Sequence, residues 1–218
     1  MYFSNRSQAG AILAEQLATT YFNENCAVVA VSESAVLVAE QIASTLNCVL
    51  TLLLAENIDI PGESITLGAV SQEGGFTFNS SLTESQINGY VSEFHGYLEE
   101  QKRVQFQKMN RLVGDGGIMD LDLLRDRVII LVSDGIASGT GFDVAIDYMK
   151  PISIQKLIIA APTASISAVD KIHVIADELH VLDVKENFVG VDHYYEDNTL
   201  PQREEIIQYV RDIVSASS

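Results

Sequence analysis

Two kinds of hydrophobic pattern alternate along this chain. Short apolar runs rich in Val, Ile and Leu are too brief for helices and suit strands covered on both faces. Between them lie longer segments with apolar residues three and four apart, the spacing of a helix with one buried stripe. Ser7–Tyr21 reads as the first helix, with Ala11, Leu13, Ala14, Leu17 and Ala18 apolar and Asn5 or Ser7 as its cap. Ala27–Val31 is then a buried strand, Ala35–Leu46 a helix ended by Asn47, and Cys48–Leu54 a second strand. This is a βαβ unit, whose crossover should be right-handed.

The second half repeats the alternation. Val128–Val132 is a strand and Phe142–Met149 a helix, with Phe142, Ala145, Ile146 and Met149 on one side. Lys156–Ala161 is a strand, Pro162–Ser165 a turn, Ser167–Ala176 a helix, His180–Val184 a last strand and Glu204–Val214 a terminal helix. Between the halves the rhythm changes. Ile65–Val70 and Phe76–Phe78 read as a hairpin across Ser71–Gly75. Thr83 and Gln86 form a capping-box pattern, and Ser85–Leu112 reads as one long helix despite Gly89 and Gly96. The whole is one α/β domain over residues 1–218. A parallel sheet is flanked by helices, and residues 61–117 form an inserted hood.

Composition narrows the partners. A formal charge of −17 argues against nucleic acid and anionic membranes, which need clustered Lys and Arg. Only Arg6 precedes Lys102, and Lys102, Arg103, Lys108 and Arg111 then recur at helical spacing, a solvated face or an anion-facing one. Cys26 and Cys48 have no metal-binding spacing and read as reduced, buried thiols. His95, His173 and His180 have no ligand-like spacing either. Met1–Gln8 lacks the order of a secretory signal and no apolar run reaches membrane length, so a cytoplasmic location is expected.

The chemistry concentrates after the Val128 strand. Ser133, Asp134, Gly135, Ile136, Ala137, Ser138, Gly139, Thr140 and Gly141 connect a strand to a helix. Glycines let backbone amides approach an anion, and the helix N-terminus adds partial positive charge. Ser138 and Thr140 could donate hydroxyls to a phosphate, and Asp134 could accept from sugar hydroxyls. The plainer alternative is a turn that needs glycine for geometry alone.

This stretch resembles the signature of type I phosphoribosyltransferases: an apolar run, an acid pair, Gly, an apolar residue, Ala, Ser or Thr, then Gly. The start (Phe3–Arg6, Ala9-Gly10, Leu13-Ala14) and the end (Phe188–Asp197) resemble a bacterial group of that family. The resemblance implies a site for phosphoribosyl pyrophosphate or a nucleotide monophosphate, with Ala137–Gly141 on the 5-phosphate and the acid pair on the ribose. It also implies Mg²⁺ with the pyrophosphate, and it is compatible with a homodimer.

Departures from the pattern bear on activity. Ser133 replaces the first acid. Ala137 stands where some relatives carry a general base, so no catalytic residue is assigned. The pyrophosphate loop is Ser32, Glu33, Ser34 and Ala35, and the next loop begins Ala55-Glu56-Asn57, so neither carries its usual basic residue. His193-Tyr194-Tyr195 either covers a base or packs on the core. Two functions stay open: a phosphoribosyl transferase with a weakened site, or a non-catalytic module that binds ribose phosphates, nucleotides or a protein partner. The central loop is not Gly-x-Gly-x-x-Gly, which argues against a nicotinamide-cofactor enzyme.

Overall fold

The structure is a computed structural model and describes residues 1–63, 65–113, 121–202, 204–206, 208 and 210, with the side chains of 111–113 and 140 left aside. The end of the expected hood at Gly114–Gly117, the Arg111 side chain and the terminal helix beyond 210 lie outside the described residues. Five strands form a parallel sheet: β1 (Cys26–Ala30), β2 (Val49–Leu52), β6 (Val128–Val132), β7 (Lys156–Ser165) and β8 (Glu178–Lys185). Across the sheet they lie in the order β2-β1-β6-β7-β8. The side-chain period of two sorts each strand between the two faces. Val28, Ala30, Ile130, Val132, Ile158 and Ala160 pack in one cluster with α1 (Arg6–Tyr21) and α2 (Val36–Leu46). Ala27, Val29, Ile129, Leu131, Ile159 and Ala161 pack in another with α5 (Thr140–Met149) and α6 (Ile166–Ile172). Both faces are therefore covered, which is why the strands read as unbroken apolar runs.

Local signals place the helices. The Gln8 amide donates to Asn5 Oδ1 at 2.9 Å, so Asn5 is the cap of α1. Asn47 closes α2 in the left-handed region, where Asn is tolerated better than most residues. α1 and α2 lie very close at Gly10, where an added Cβ would sit 2.7 Å from the Val38 carbonyl oxygen and 2.9 Å from Val38 Cα. Cys26 and Cys48 are free thiols. Burial holds the Cys48 thiol up at about 12, so it stays protonated near neutrality.

The remaining strands, β3 (Ala55–Asp59), β4 (Thr66–Ser71) and β5 (Phe76–Phe78), form an antiparallel sheet in that order. Two helices lie with it, α3 (Glu84–Glu93) and α4 (His95–Val113). The capping box at Thr83 is formed, through both Gln86 contacts. Lys102 and Arg103 pair with Glu99 and Glu100 one turn earlier, and Lys108 reaches Glu56, so these cations lie in ion pairs on the surface.

Four expectations are corrected. The loop expected to begin at Ala55-Glu56-Asn57 is strand β3, and the sequence hid it because only Ile58 is buried in an otherwise polar strand. The long helix expected over Ser85–Leu112 is two, bent at Phe94 (φ −110°, ψ 21°) beside Gly96, which costs a helix interior roughly 1 kcal/mol relative to Ala. The turn expected at Pro162–Ser165 is strand. β7 continues because Thr163, Ala164 and Ser165 pair with Asp183–Lys185, and Pro162, which has no N–H to donate, is the gap in that ladder. The helix expected over Ser167–Ala176 is the shorter α6, capped by Ser165 through the Ala168 amide.

The close contact of α1 and α2 yields a prediction. Gly10→Ala gains up to about 1 kcal/mol of helix propensity but forces two packed backbones apart, which costs more. A net loss of about 1 kcal/mol or more is expected in urea denaturation, and a gain would contradict the close approach.

Candidate functional site

The carboxyl ends of β1, β2 and β6 gather three connections at one edge of the sheet. The Val31 amide donates to the Val132 carbonyl at 3.0 Å, and Val31 lies in ordinary contact range of a Cβ built on Gly141. The Ser32–Ala35 loop therefore sits beside the Ser133–Gly141 turn. Ser32 Oγ accepts from the Ala35 amide at 3.2 Å and closes the loop on itself. No Lys, Arg or His occurs within it.

The extension of β7 fixes the larger turn. The Ile136 amide donates to the Thr163 carbonyl at 2.9 Å, and the Ser165 amide donates back to the Ile136 carbonyl at 2.9 Å. Ser165 Oγ donates to the Ala137 carbonyl at 2.9 Å. Thr163 Oγ1, fully buried near Gly135, has no hydrogen-bond partner among the described residues. Ala137 and Ser138 form an exposed rim. Gly139 then turns the chain at φ 77° as the N-cap of α5. A side chain there would strain the backbone and press on Ile172 Cγ2, 3.1 Å from a built Cβ. The first amides of a helix lack intrahelical acceptors, so the start of α5 offers donors at this rim. The Thr140 side chain lies outside the described residues.

The two motif positions before the glycine are engaged within the protein. Ser133 Oγ donates to the Gly135 carbonyl at 2.9 Å and accepts from the Gly135 amide at 3.3 Å. Asp134 Oδ2 accepts from Arg6 Nε at 2.7 Å, with the two side chains only 7% and 3% exposed. Arg6 also donates to Asp192 at 2.5 Å and to Asn198 at 3.0 Å, and its guanidinium lies 4.6 Å from the centre of the Tyr195 ring. Burial pulls the Arg6 pKa down, but the carboxylates of Asp134 and Asp192 outweigh it and leave the value raised. The Tyr195 hydroxyl donates to the Asp134 carbonyl, and burial, then the Asp134 charge, push its pKa up. His193-Tyr194-Tyr195 thus joins the packing of the domain: Tyr194 and Tyr195 are buried, and His193 meets Tyr2 at the surface.

Arg6 is the residue that sequence reasoning passed over. Its signal was isolation, as the sole basic residue before Lys102. Lys171 was also missed. Its stem passes 3.5 Å from a Cβ built on Gly139, and its Nζ meets Asp143 at 2.8 Å. Among the described residues, no three His, Cys, Asp or Glu side chains are grouped to hold a metal ion. None of their helices is long and apolar enough to cross a membrane.

Fold and turn together define an α/β protein whose sheet presents a glycine-bearing strand-to-helix turn at its carboxyl edge. The phosphoribosyl transferase domain, as a family, matches residues 3–196, and the chain belongs to that family. The parallel sheet with flanking helices is the type I arrangement, as the motif resemblance implied. The crystal structure of TT1426 from Thermus thermophilus has the same fold, with a TM-score of 0.70, 24% identity and 99% of each chain covered. Two Mycobacterium tuberculosis proteins, from strains CDC 1551 and H37Rv, bear provisional names as phosphoribosyl transferases and are each 22% identical over 210 residues. The match covers 95% of this chain but 46% of theirs, so the chain spans about half the length of these relatives.

The Arg6–Asp134 pair gives a direct stability test. Arg6→Met leaves Asp134 buried without its cation and is expected to cost about 3–5 kcal/mol in urea denaturation. Adding Asp134→Asn to that variant should restore most of the loss. A loss below about 1 kcal/mol for the single variant would show that Asp134 is solvated.

Proposed function

We propose that this chain binds a 5-phosphoribosyl ligand at the turn between β6 and α5, and that its transfer activity is weak or lost. Phosphoribosyl pyrophosphate and nucleotide monophosphates are the ligand classes that fit. The observation that carries the reading is the Gly139 turn. It opens the N-terminus of α5 at the carboxyl end of the middle strand, beside the Ser32 loop. Amides at the start of α5 and the Ser138 hydroxyl would take the phosphate oxygens. Asp134 would accept from a ribose hydroxyl through its other oxygen, Oδ1, while Arg6 holds Oδ2.

The rest of the site supports binding more than transfer. In the transfer, the bond from the anomeric carbon to pyrophosphate breaks and a bond to the acceptor forms, so the leaving anion needs donors. The Ser32–Ala35 loop brings Glu33 and no base. One preorganised donor at such a position is worth about 3 kcal/mol, or a hundredfold or more in rate. Glu33 would be the carboxylate to take Mg²⁺ carried in on a pyrophosphate, and Mg²⁺ there would offset the charge between them. Ala137 can neither give nor take a proton.

Titration calorimetry separates binding from transfer. Ribose 5-phosphate should bind, and phosphoribosyl pyrophosphate with Mg²⁺ should bind no more than about tenfold tighter, a difference of about 1.4 kcal/mol. A pyrophosphate-dependent gain well above that, with rapid pyrophosphate release when purine or pyrimidine bases are added, would overturn the loss of transfer. Absence of ribose 5-phosphate binding would overturn the site.

A further inference from the structure

We infer that Lys171 is the cation of the phosphate turn, leaving Asp143 to meet an anionic ligand at the start of α5; this rests on the binding reading above. The Ser32–Ala35 loop, which borders the turn at the end of β1, supplies no basic residue, and a cation would strengthen a site of amides and hydroxyls for a dianionic phosphate. Lys171 comes from α6, on the other side of the turn. Its Cδ and Cε lie 3.5 and 4.0 Å from a Cβ built on Gly139, so its stem passes the N-cap itself. Its ammonium is held 2.8 Å from Asp143, which occupies the first turn of α5.

A carboxylate in that turn opposes an incoming anion. It also competes for the partial positive charge of the helix N-terminus. Lys171 masks it in the absence of ligand. Asp143 does not depend on Lys171 alone: the Ser80 hydroxyl donates to Oδ1 at 2.9 Å and the Ser80 amide to Oδ2 at 3.2 Å. The ammonium can therefore move to a phosphate without leaving Asp143 unpaired. Both residues border an open groove of about 490 Å³ with Thr77, Phe78 and Ser80. Ser80 follows β5, so the same carboxylate ties the antiparallel sheet to the phosphate turn.

The test is calorimetric titration of ribose 5-phosphate into wild type, Lys171→Met, Lys171→Arg and the double variant Lys171→Met/Asp143→Asn, at two salt concentrations. Lys171→Met should bind about ten- to a hundredfold more weakly, the range for a hydrogen bond to a charged group. It should also lose part of the salt dependence, and Lys171→Arg should keep most of the affinity. The double variant should stay weak, because the cation itself is missing. Wild-type affinity in the double variant would overturn the inference and leave Lys171 as a mask for Asp143. Wild-type affinity in Lys171→Met would overturn it as well. If wild type itself does not bind ribose 5-phosphate, the binding reading fails first and takes this inference with it.

Discussion

The buried pair of Arg6 and Asp134 is the constraint on which the site end of the domain depends. A guanidinium and a carboxylate withdrawn from water are stable only while each has the other and their remaining donors are used. Arg6 meets that condition with Asp134, Asp192, Asn198 and the face of Tyr195. Three separate parts of the chain must converge for it to form: the first turn of α1, the end of β6, and the segment after β8. The parallel pairing of Phe3 with Tyr195 closes the same junction through the backbone. The strand-to-helix turn is therefore anchored from below by charge and from the side by the extra length of β7.

That anchoring also shapes the chemistry. An acid that spends one oxygen on Arg6 is well oriented, but it attracts a sugar hydroxyl less than a free carboxylate would. Ser133, with its hydroxyl tied to both sides of Gly135, holds the turn in shape more than it offers itself to a ligand. The rim left open to solvent is Ala137 and Ser138, backed by Gly139 and the amides of α5. On the function proposed above, this balance would favour holding a phosphorylated sugar over expelling pyrophosphate from it. The cation inferred for such a ligand, Lys171, comes from α6, outside the stretch where the motif lies.

Much of the architecture could be read from the residues, because burial on both sheet faces leaves a plain record. Val128–Val132 was bounded to the residue by its apolar run. Asn5, Thr83 and Asn47 marked helix ends through side-chain chemistry that acts locally. The misreadings arose where distant pairing overrides local preference. Pro162 looks like a turn until β8 lies alongside, and Ala55–Asp59 looks like a loop until β4 does. The turn from Ser133 to Gly141 was legible as a place, since glycine spacing is a local signal. The partners of its side chains were not. Arg6 lies 128 residues before Asp134, and Lys171 lies 28 after Asp143, so neither contact leaves a trace in spacing.

A crystal structure of the chain with ribose 5-phosphate tests the central claim most directly. The phosphate is predicted within hydrogen-bond distance of the Ser138–Gly141 amides, with the ribose directed toward Asp134 and the Arg6 pair unbroken. A phosphate bound away from that turn, with those amides satisfied by the protein itself, would contradict it.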